Sequence, residues 1–523
     1  MLELFEATVD KVPDSIAVSY FDGNVTFRQL DQRSDALAAA LVSGGFEPGD
    51  RLALYTQNNP AFVIGLLAAW KADGVAVLIN PMNKAREVTY LLRDSGATAL
   101  LSLDNLYDSI AREVIASADT EVRQVIVAAA RDDQTRDDER LVPTIGEPAI
   151  GDARRLSDVL AEFGDRKPAP VSVDPAKAAV LTYTSGTTGV PKGAINTHGG
   201  LTFNSQTYRE WMKLDHNDVV LGIAPLFHIT GLVGHVCISL LLGSKLVLMH
   251  RFDGMVVLDA IREHRPTFTV GAITAFNNLA ALPGATKEDF SSLRVVYSGG
   301  APIAPEVRDR IRERTGIEVQ NIYGMTETTS PTHAVPLGVS APVDPSTGAL
   351  SIGVPVFNTA ARIIGDDGAT APAGEIGEIV VSGPQIIPGY WNKPKETAEK
   401  IVEGELRTGD VGLMDENGWF YLVDRKTDMI IASGYKVWPR EVEDVLLSHP
   451  AVREAAVVGV EHQYRGETVK AFVSLRPETT ASPDELTAFC KDRLAAYKYP
   501  RTIEIVEELP KNAAGKILRR TLR

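Results

Sequence analysis

The sequence predicts an α/β protein with a large N-terminal domain and a small α+β C-terminal domain. Helical and strand patterns alternate along most of the chain, which is typical of helices packed on parallel sheets. The length of 523 residues exceeds the size at which one hydrophobic core usually stops growing. From about Gly353 to Tyr421 the chain becomes strand-rich with many glycines, so the large domain should consist of α/β sandwich subdomains plus a small β subdomain.

The individual elements follow from hydrophobic periodicity and turn residues. In the large domain we expect helices at 30–41 and 60–72 and strands at 51–55, 74–79, 178–181, 244–248, 267–271 and 294–298. The segment 129–155 is rich in Asp, Arg, Pro and Gly and should be an exposed loop. Beyond a boundary near Asp424 we expect helices at 439–447 and 483–494 and strands at 452–460 and 469–475. The predicted domains are therefore residues 1–424 and 425–523.

Composition excludes several classes of protein. Hydrophobic residues make up 44% of the chain and charged residues 23%, as in soluble globular proteins. The net charge of -15 argues against a nucleic-acid partner. The only two cysteines, Cys237 and Cys490, lie far apart and do not suggest a disulfide framework. The nine histidines show no paired spacing typical of metal ligands.

No targeting or membrane segment is expected. The N-terminal residues lack a basic region followed by an apolar core, so they do not resemble a signal peptide. No apolar run reaches the roughly 18 residues of a transmembrane helix. We therefore expect a cytoplasmic enzyme.

The most informative segment is the string YTSGTTGVPKG at residues 183–193. Glycines let the backbone approach an anion closely, and successive N–H groups in such a turn form an anion site. Hydroxyl groups and one lysine add further donors, which predicts a polyphosphate site at Thr184, Ser185, Gly186, Thr187, Thr188, Gly189 and Lys192. It is not a Walker A loop, because Pro191 replaces the second glycine and Gly193 stands where Ser or Thr is needed.

This string resembles the phosphate-binding signature of the adenylate-forming, AMP-binding enzymes, which include acyl-CoA synthetases, aryl-CoA ligases, luciferases and peptide-synthetase adenylation domains. The alternative is a glycine-rich surface turn, but further motifs follow in the family's order along nearly the whole chain. The resemblance implies Mg²⁺ as a cofactor, ATP and CoA as co-substrates, and a mobile C-terminal domain.

The segment NIYGMTET at 321–328 resembles the family's YGxTE motif. The resemblance implies that Tyr323 faces adenine, that Thr326 touches the α-phosphate and that Glu327 binds Mg²⁺. Carboxylate oxygens suit Mg²⁺, and Thr184 is a weaker candidate ligand. Further nucleotide contacts are expected from the same motif and from the small-residue turn after strand 294–298, namely Asn321, Gly324, Gly299, Gly300, Ala301 and Pro302.

Two motifs near the predicted domain boundary resemble the family's ribose site and hinge. In Arg407-Thr408-Gly409-Asp410 the aspartate would accept hydrogen bonds from the ribose hydroxyls, since an ionised carboxylate offers only acceptors. In the following string DRKTDMI, Arg425 would be a second ribose or phosphate contact and residues 424–428 the hinge. Thr427 occupies the pivot, where the family commonly has Asp or Lys.

The C-terminal domain carries two more resemblances. In the string ASGYKVWP, Ser433 and Gly434 would line the channel for the CoA thiol, and Lys436 would contact the nucleotide. The string PKNAAGKILRR resembles the family's terminal motif, in which Lys516 is the catalytic lysine. A carboxylate that attacks an α-phosphate is repelled by it, and an ammonium bridging both groups offsets that repulsion.

The string PLFHITGLVGH at 225–235 indicates the acid. It contains no carboxylate to pair an amino group, so an amino acid substrate is not expected. The string stands at the family's acyl-site entrance, and the resemblance implies that His228 lies beside the substrate carboxylate. Gly231, Leu232 and Ala272, which are small or apolar, would form an apolar acyl pocket. The hinge-region string resembles fatty acyl-CoA synthetases more than plant coumarate ligases, so we expect a medium- or long-chain fatty acid. An aryl acid, a stand-alone enzyme that loads a carrier protein, a luciferase-like oxygenase and a non-catalytic nucleotide or acyl sensor are the alternatives.

The given sequence reaches Arg523 directly after the lysine motif, with no carrier domain behind it, so we expect free CoA as the acceptor. The expected partners are therefore small molecules: a carboxylic acid, ATP and CoA. A homodimer stays open.

Overall fold

The chain forms three β-sheets in a computed structural model, which describes residues 1–142, 148–184, 190–425, 428–432, 435–462, 466–512 and 516–522. Over these residues the sheets contain fourteen, seven and five strands. In chain order the strands are β1 (Ile16–Tyr20), β2 (Gly23–Thr26), β3 (Arg51–Tyr55), β4 (Val75–Leu78), β5 (Ala99–Leu103), β6 (Gln124–Ala128), β7 (Arg154–Arg155), β8 (Ala178–Thr184), β9 (Lys192–Thr197), β10 (Val219–Leu221), β11 (Lys245–Leu248), β12 (Phe268–Gly271), β13 (Val295–Ser298), β14 (Val319–Met325), β15 (Ser330–Ala334), β16 (Ser351–Pro355), β17 (Ala360–Ile364), β18 (Gly377–Ser382), β19 (Ile401–Val402), β20 (Glu405–Met414), β21 (Phe420–Arg425), β22 (Ile430–Ala432), β23 (Tyr435–Val437), β24 (Val452–His462), β25 (Gly466–Leu475) and β26 (Thr502–Ile505).

The helices are numbered in the same way. They are α1 (Leu2–Lys11), α2 (Phe27–Ser43), α3 (Pro60–Lys71), α4 (Ala85–Ser95), α5 (Asp104–Leu106), α6 (Arg112–Ser117), α7 (Leu156–Phe163), α8 (His198–Met212), α9 (Ile229–Gly231), α10 (Ile238–Leu242), α11 (Gly254–His264), α12 (Ile273–Ala281), α13 (Pro305–Thr315), α14 (Pro394–Lys400), α15 (Pro439–Leu447) and α16 (Pro483–Lys491). Two π-helical turns, Tyr107–Ala111 and Leu232–Cys237, continue α5 and α9. None of the described helices combines the length and apolar character needed to cross a bilayer.

The seven-stranded sheet has the order β7-β6-β5-β3-β4-β8-β9. Its strands run parallel up to β8, whereas β9 pairs antiparallel to β8. The parallel strands are almost fully apolar because both faces of such a sheet are usually covered. The sheet therefore ends in a hairpin whose connection carries the glycine-rich string.

The fourteen-stranded sheet changes character along its length. From β1 and β11 through β10, β12, β13 and β14 the neighbours are parallel, and from β15 onward they are antiparallel. The predicted small β subdomain corresponds to the antiparallel part. It is not a separate sheet, because β14, β15 and β16 connect it to the parallel strands by continuous pairing.

The third sheet has the order β23-β22-β25-β24, with β26 parallel to β25. Its strands all lie between residues 430 and 505, and its core includes Val442, Val457 and Leu486. We call residues 430–522 the C-terminal unit.

Most elements expected from the sequence are present. Strand 51–55 and helix 439–447 have the expected bounds, while α2 extends beyond 30–41 at both ends because a capping box of Thr26 and Gln29 begins it earlier. The helix expected at 483–494 ends at Lys491. The described part of 129–155 contains only the two-residue strand β7, as the loop prediction implies.

Helix α3 is apolar on all sides, and all its residues from Pro60 to Lys71 are buried. It packs on β3 and β4 and also on α1 and α2. Lys71 is its one charged residue, and the Lys71 Nζ donates at 2.6 Å to both Asp31 Oδ1 and Asp35 Oδ1 on α2. With Lys71 only 4% exposed, this ion triad joins α2 to α3 inside the core.

We expect Lys71→Met to destabilise the protein by about 3–5 kcal/mol, because two carboxylates then lose their buried counter-ion. Lys177→Met is the matched control, since Lys177 is half exposed where it pairs with Asp73 and such surface pairs contribute roughly 0–1 kcal/mol. The measurement is the thermal unfolding temperature at one scan rate. Equal unfolding temperatures for the two variants would contradict the expectation.

Candidate active site

The glycine-rich string lies between β8 and β9, where Thr184 pairs with Lys192. The expected phosphate ligands Ser185, Gly186, Thr187, Thr188 and Gly189 lie outside the described residues. Thr184 and Lys192 are half-buried. The Lys192 Nζ lies 5.4 Å from the centroid of the Tyr390 ring, a distance typical of a cation–π contact. The lysine is thereby held at the mouth of the hairpin.

The Asp94 carboxylate at the end of α4 braces this hairpin. It accepts a hydrogen bond from the Tyr183 hydroxyl at 2.8 Å and pairs with the Lys393 Nζ at 3.1 Å. The Tyr90 hydroxyl lies 3.1 Å from the same carboxylate and 2.8 Å from the Pro191 carbonyl oxygen. These contacts fix both arms of the hairpin to α4.

Glu327 lies in a short 3₁₀ turn, Thr326–Thr328, directly after β14. Its side chain is buried, and its Oε1 accepts a hydrogen bond of 2.6 Å from the Tyr390 hydroxyl. Burial first, and then the Glu327 charge, raise the pKa of Tyr390, so the phenol remains a donor. The turn itself is held by the Asn196 Nδ2, which donates to the Thr326 carbonyl at 2.9 Å.

Asp410 lies on β20, opposite Arg425 on β21. The Tyr323 hydroxyl donates to its Oδ2 at 2.7 Å, and the Arg425 Nε lies 3.2 Å from its Oδ1. Burial, followed by the negative charge of Asp410, raises the pKa of Tyr323 well above its usual value. The attraction of Asp410 is the first cause that raises the pKa of Arg425. The structure thus brings the expected adenine, ribose and phosphate contacts to one carboxylate.

The turns around this carboxylate need glycine. A Cβ at Gly324 would lie 2.0 Å from the Ser330 carbonyl oxygen, so no side chain fits there. Gly300 has φ +81, a left-handed conformation that glycine adopts without strain. Asn321 is buried, and its Nδ2 donates to the Ser351 carbonyl at 2.8 Å, while Ala301 and Pro302 are half-buried.

His228 begins α9, and its Nδ1 accepts a hydrogen bond of 3.3 Å from the Thr230 N–H. This bond assigns the proton of the neutral imidazole to Nε2. Burial, with a smaller effect of the Lys516 charge, lowers the pKa of His228 to about 4. The imidazole is therefore neutral near pH 7 and offers an N–H rather than a charge.

The other expected acyl-pocket residues surround His228 in different ways. A Cβ at Gly231 would lie 2.2 Å from the Pro225 carbonyl oxygen, so Gly231 allows the turn to close. Leu232 is fully buried and starts a π-helical turn, a feature often found at functional sites. Ala272 is half-buried beyond β12.

Lys516 comes from the C-terminal unit but lies close to Asp410 and Arg425. The residue is exposed, but the protein atoms around its ammonium partly desolvate it. This desolvation, followed by the charge of Arg425, lowers the pKa of Lys516 to about 8 although Asp410 and Asp428 oppose the shift. The Lys516 charge thus acts on His228, and the Asp410 charge acts on Lys516; we call the region between these three residues the cleft.

The remaining expected residues of the C-terminal unit are only partly described. The backbone of Lys436 lies in β23, paired with Ile431, and its side chain lies outside the described part. Ser433, Gly434 and the hinge residue Thr427 also lie outside it.

Sequence reasoning missed two polar groups of this site, Tyr390 and Lys400. The Lys400 Nζ donates to the Thr408 carbonyl at 2.8 Å, beside the turn that carries Asp410. Burial lowers the pKa of Lys400, while the nearby charges of Glu327 and Asp410 oppose this. Neither residue lies in a string that indicates chemistry. Both lie inside the strand-rich segment 353–421, where the sequence alone does not distinguish them from other polar residues.

Comparison with known families supports this arrangement. A family model described as "AMP-binding enzyme" matches residues 5–391, and one described as "AMP-binding enzyme C-terminal domain" matches residues 441–516. The chain belongs to the AMP-binding enzyme family. The predicted resemblance is therefore confirmed, and so is the predicted fold class.

Similar proteins include a long-chain-fatty-acid–CoA ligase of Bacillus subtilis, 37% identical over 98% of this chain and 92% of that protein. A feruloyl-CoA synthase of Amycolatopsis is 35% identical over 98% of this chain and 96% of that protein. Among solved structures, ATP-bound MatB of Rhodopseudomonas palustris superposes with a TM-score of 0.86 at 28% identity, covering 100% of this chain and 98% of that one. Apo MatB gives 0.77 at 27% identity with the same coverage. The predicted class of enzyme, an AMP-forming acyl-CoA synthetase, is confirmed.

We expect Tyr390→Phe to lower ATP-dependent activity by about 10-fold or more, because a hydrogen bond to a charged group contributes roughly 1.5–3 kcal/mol. Without its donor, the Glu327 carboxylate is free to reorient. The measurement is AMP release at several ATP concentrations. Tyr421→Phe is the control, since it removes a Tyr–Asp hydrogen bond to Asp415 in another hairpin. Wild-type activity in Tyr390→Phe would show that this bond does not position Glu327.

Proposed function

We propose that this enzyme joins a medium- or long-chain fatty acid to CoA in two steps. The acid first attacks the α-phosphate of ATP to give acyl-AMP and pyrophosphate. The CoA thiol then attacks the acyl carbon, and AMP leaves. The proposal rests above all on the cleft shared by Lys516, His228 and Asp410. The end-to-end similarity to fatty-acid–CoA ligases supports the choice of acid.

In the first step Lys516 supplies the positive charge that offsets the repulsion between the two reacting anions. Carboxylate and phosphate are both anionic, and their approach concentrates negative charge between them. An ammonium between the two groups, in a site partly shielded from water, lowers the energy of that arrangement. Lys516 is the cation for this role.

His228 orients the acid. Because its imidazole is neutral, it does not compete with Lys516 for the negative charge. With Nδ1 occupied by the Thr230 N–H, Nε2 donates a hydrogen bond to one carboxylate oxygen. The other oxygen is left to attack phosphorus. Gly231, Leu232 and Ala272 belong to the apolar surroundings of the acyl chain.

Asp410 holds the nucleoside. An ionised carboxylate has about four acceptor sites, so Tyr323 and Arg425 leave room for both ribose hydroxyls. Arg425 also reaches toward the α-phosphate, and the turn of Gly299, Gly300, Ala301 and Pro302 lies against adenine. Thr326, Lys192 and the string 184–189 bind the phosphates.

Mg²⁺ fits this site as a companion of ATP. In the described part of the chain, His, Cys, Asp and Glu side chains do not gather in groups of three or more that could hold a metal. Mg²⁺ is commonly bound by one or two carboxylates plus substrate phosphates. Glu327 supplies such a carboxylate, since the bond from Tyr390 occupies only one of its acceptor sites, and Thr184 is the weaker ligand. The ion would reduce the charge on the phosphates.

The second step requires a different arrangement of the two domains. We propose that residues 425–523 rotate relative to 1–424 about a hinge at 424–428, so that Lys516 leaves and Ser433 and Gly434 line a path for the CoA thiol. The arrangement described here is the adenylating one. The higher TM-score with ATP-bound MatB than with apo MatB supports this assignment.

An aryl acid is the second candidate substrate. The similarity to a feruloyl-CoA synthase favours it almost as strongly as the fatty-acid ligases favour an aliphatic acid. The deciding test is AMP release with and without CoA on acids from acetate to palmitate, plus benzoate, cinnamate and ferulate. We expect CoA-dependent turnover to be highest with fatty acids of medium or long chain. A preference for the aryl acids would overturn the fatty-acid proposal.

We expect Lys516→Ala to slow acyl-AMP formation by on the order of 10²-fold, the usual cost of removing one preorganised electrostatic contact. Thioester formation from acyl-AMP supplied ready-made should change by only a few-fold. Lys511→Ala is the control, because Lys511 belongs to the same segment but pairs with Glu454. Normal acyl-AMP formation in Lys516→Ala would remove Lys516 from the mechanism.

The pH dependence of the activity should reflect the ionisation of Lys516. Since the pKa of Lys516 is lowered to about 8, its ammonium is lost as the pH rises through that value. We expect kcat/KM for ATP to fall above about pH 8, because this ratio reports ionisations of the enzyme without bound ATP. Lys516→Arg should be slower but should lack this fall, since a guanidinium stays charged. An identical alkaline fall in Lys516→Arg would assign it to another group.

A further inference from the structure

Arg519 lies three residues after Lys516 and begins the last 3₁₀ turn, Arg519–Thr521. Its guanidinium is held by three carboxylates. The Nε and Nη2 donate to the two oxygens of Glu443 at 3.0 and 2.6 Å, a bidentate pair. The Nη1 donates to Asp424 Oδ1 at 3.0 Å and to Asp428 Oδ2 at 3.1 Å. Bidentate and charge-assisted bonds of this kind fix geometry as well as adding stability.

The three carboxylates come from different parts of the chain. Asp424 lies on β21 of the fourteen-stranded sheet, Asp428 follows the proposed pivot, and Glu443 lies on α15 of the C-terminal unit. Glu443 would therefore move with Arg519 in any rotation of that unit. Asp424 lies on the other side of the pivot and would stay with the large domain, so its contact with Arg519 would break.

Asp424 also fixes the start of α15. Its Oδ2 accepts a hydrogen bond of 2.8 Å from the Arg440 N–H, in the first turn of that helix. A carboxylate at a helix N-terminus is favourable because it meets unpaired N–H groups. The Arg440 Nη1 lies 3.4 Å from the Pro302 carbonyl oxygen in the adenine turn. One buried carboxylate thus joins two elements of the C-terminal unit to the large domain.

We propose that Arg519 is a positioning residue for the adenylation step, which places Lys516 in the cleft by joining the terminal segment to Asp424 across the hinge. The inference rests on the proposed role of Lys516. Because Arg519 follows Lys516 by only three residues, fixing the Arg519 guanidinium also restricts where the Lys516 ammonium can lie. Without Arg519, Asp424 before the pivot and Asp428 and Glu443 after it lose their shared cation.

Selectivity between the two steps distinguishes positioning from stability. Lys516 acts only while the carboxylate attacks phosphorus, so loss of its placement should affect acyl-AMP formation and spare thioester formation. A displacement of about 1 Å at a reacting centre can cost on the order of 10²-fold in rate. General loosening of the C-terminal unit would impair both steps, because Ser433 and Gly434 belong to the same unit.

The test compares both half-reactions in Arg519→Gln, Asp424→Asn and the double variant, using dodecanoate with ATP in one assay and ready-made dodecanoyl-AMP with CoA in the other. We expect each single variant to slow acyl-AMP formation by at least about 10-fold and thioester formation by less than a few-fold. The double variant should be little slower than either single variant, since paired residues are non-additive. Arg519→Lys should recover part of the rate.

The controls separate the possible outcomes. Arg520→Gln, at an exposed neighbour, should behave as wild type. Glu443→Gln, which removes the partner within the C-terminal unit, should lower thermal stability and slow both steps. Equal losses in both steps for Arg519→Gln and Asp424→Asn, or additive losses in the double variant, would overturn the inference. If Lys516→Ala itself keeps normal acyl-AMP formation, the proposed function fails instead.

Discussion

The Asp410 carboxylate is the point on which the geometry of this site depends. It accepts a hydrogen bond from Tyr323 on β14, pairs with Arg425 on β21 and lies within electrostatic reach of Lys516. The large sheet brings the first two groups to it, because β14, β20 and β21 belong to one continuous sheet. A change of register between β20 and β21 would therefore separate Asp410 from Arg425, the proposed ribose and phosphate contacts.

The same carboxylate explains how an acidic protein gathers cations for a polyphosphate. The chain has a net charge of -15, yet Lys400, Arg425 and Lys516 all lie near Asp410. In the absence of an anion, these cations repel one another, and burial penalises each of them. Asp410, together with Glu327, offsets part of that cost. The site therefore holds its positive charge ready for phosphates instead of acquiring it when they bind.

The sequence predicted the elements better than their long-range pairing. Periodicity located β3 and α15 with their observed bounds, and the motifs pointed to Tyr323, Asp410 and Lys516 as residues of one site. It did not show that Tyr390 donates to Glu327, or that Lys400 lies beside the Thr408 carbonyl. Those contacts depend on how the antiparallel strands return to β14, and no local pattern records that path. The roles of Ser185 to Gly189, Ser433 and Gly434 stay predictions.

The ionisation of Lys516 links the two steps of the proposed reaction. Arg425 and desolvation lower its pKa, whereas nearby negative charge raises it. Bound ATP adds anionic phosphates, so it favours the ammonium and strengthens the attraction that holds the terminal segment in the cleft. After pyrophosphate leaves, most of that extra negative charge is gone, and the pKa of Lys516 falls back toward its value in the free enzyme. The attraction then weakens when Lys516 has completed its role. The pair of Asp424 and Arg519 is a further charge contact across the hinge, which must break before the thiol can enter.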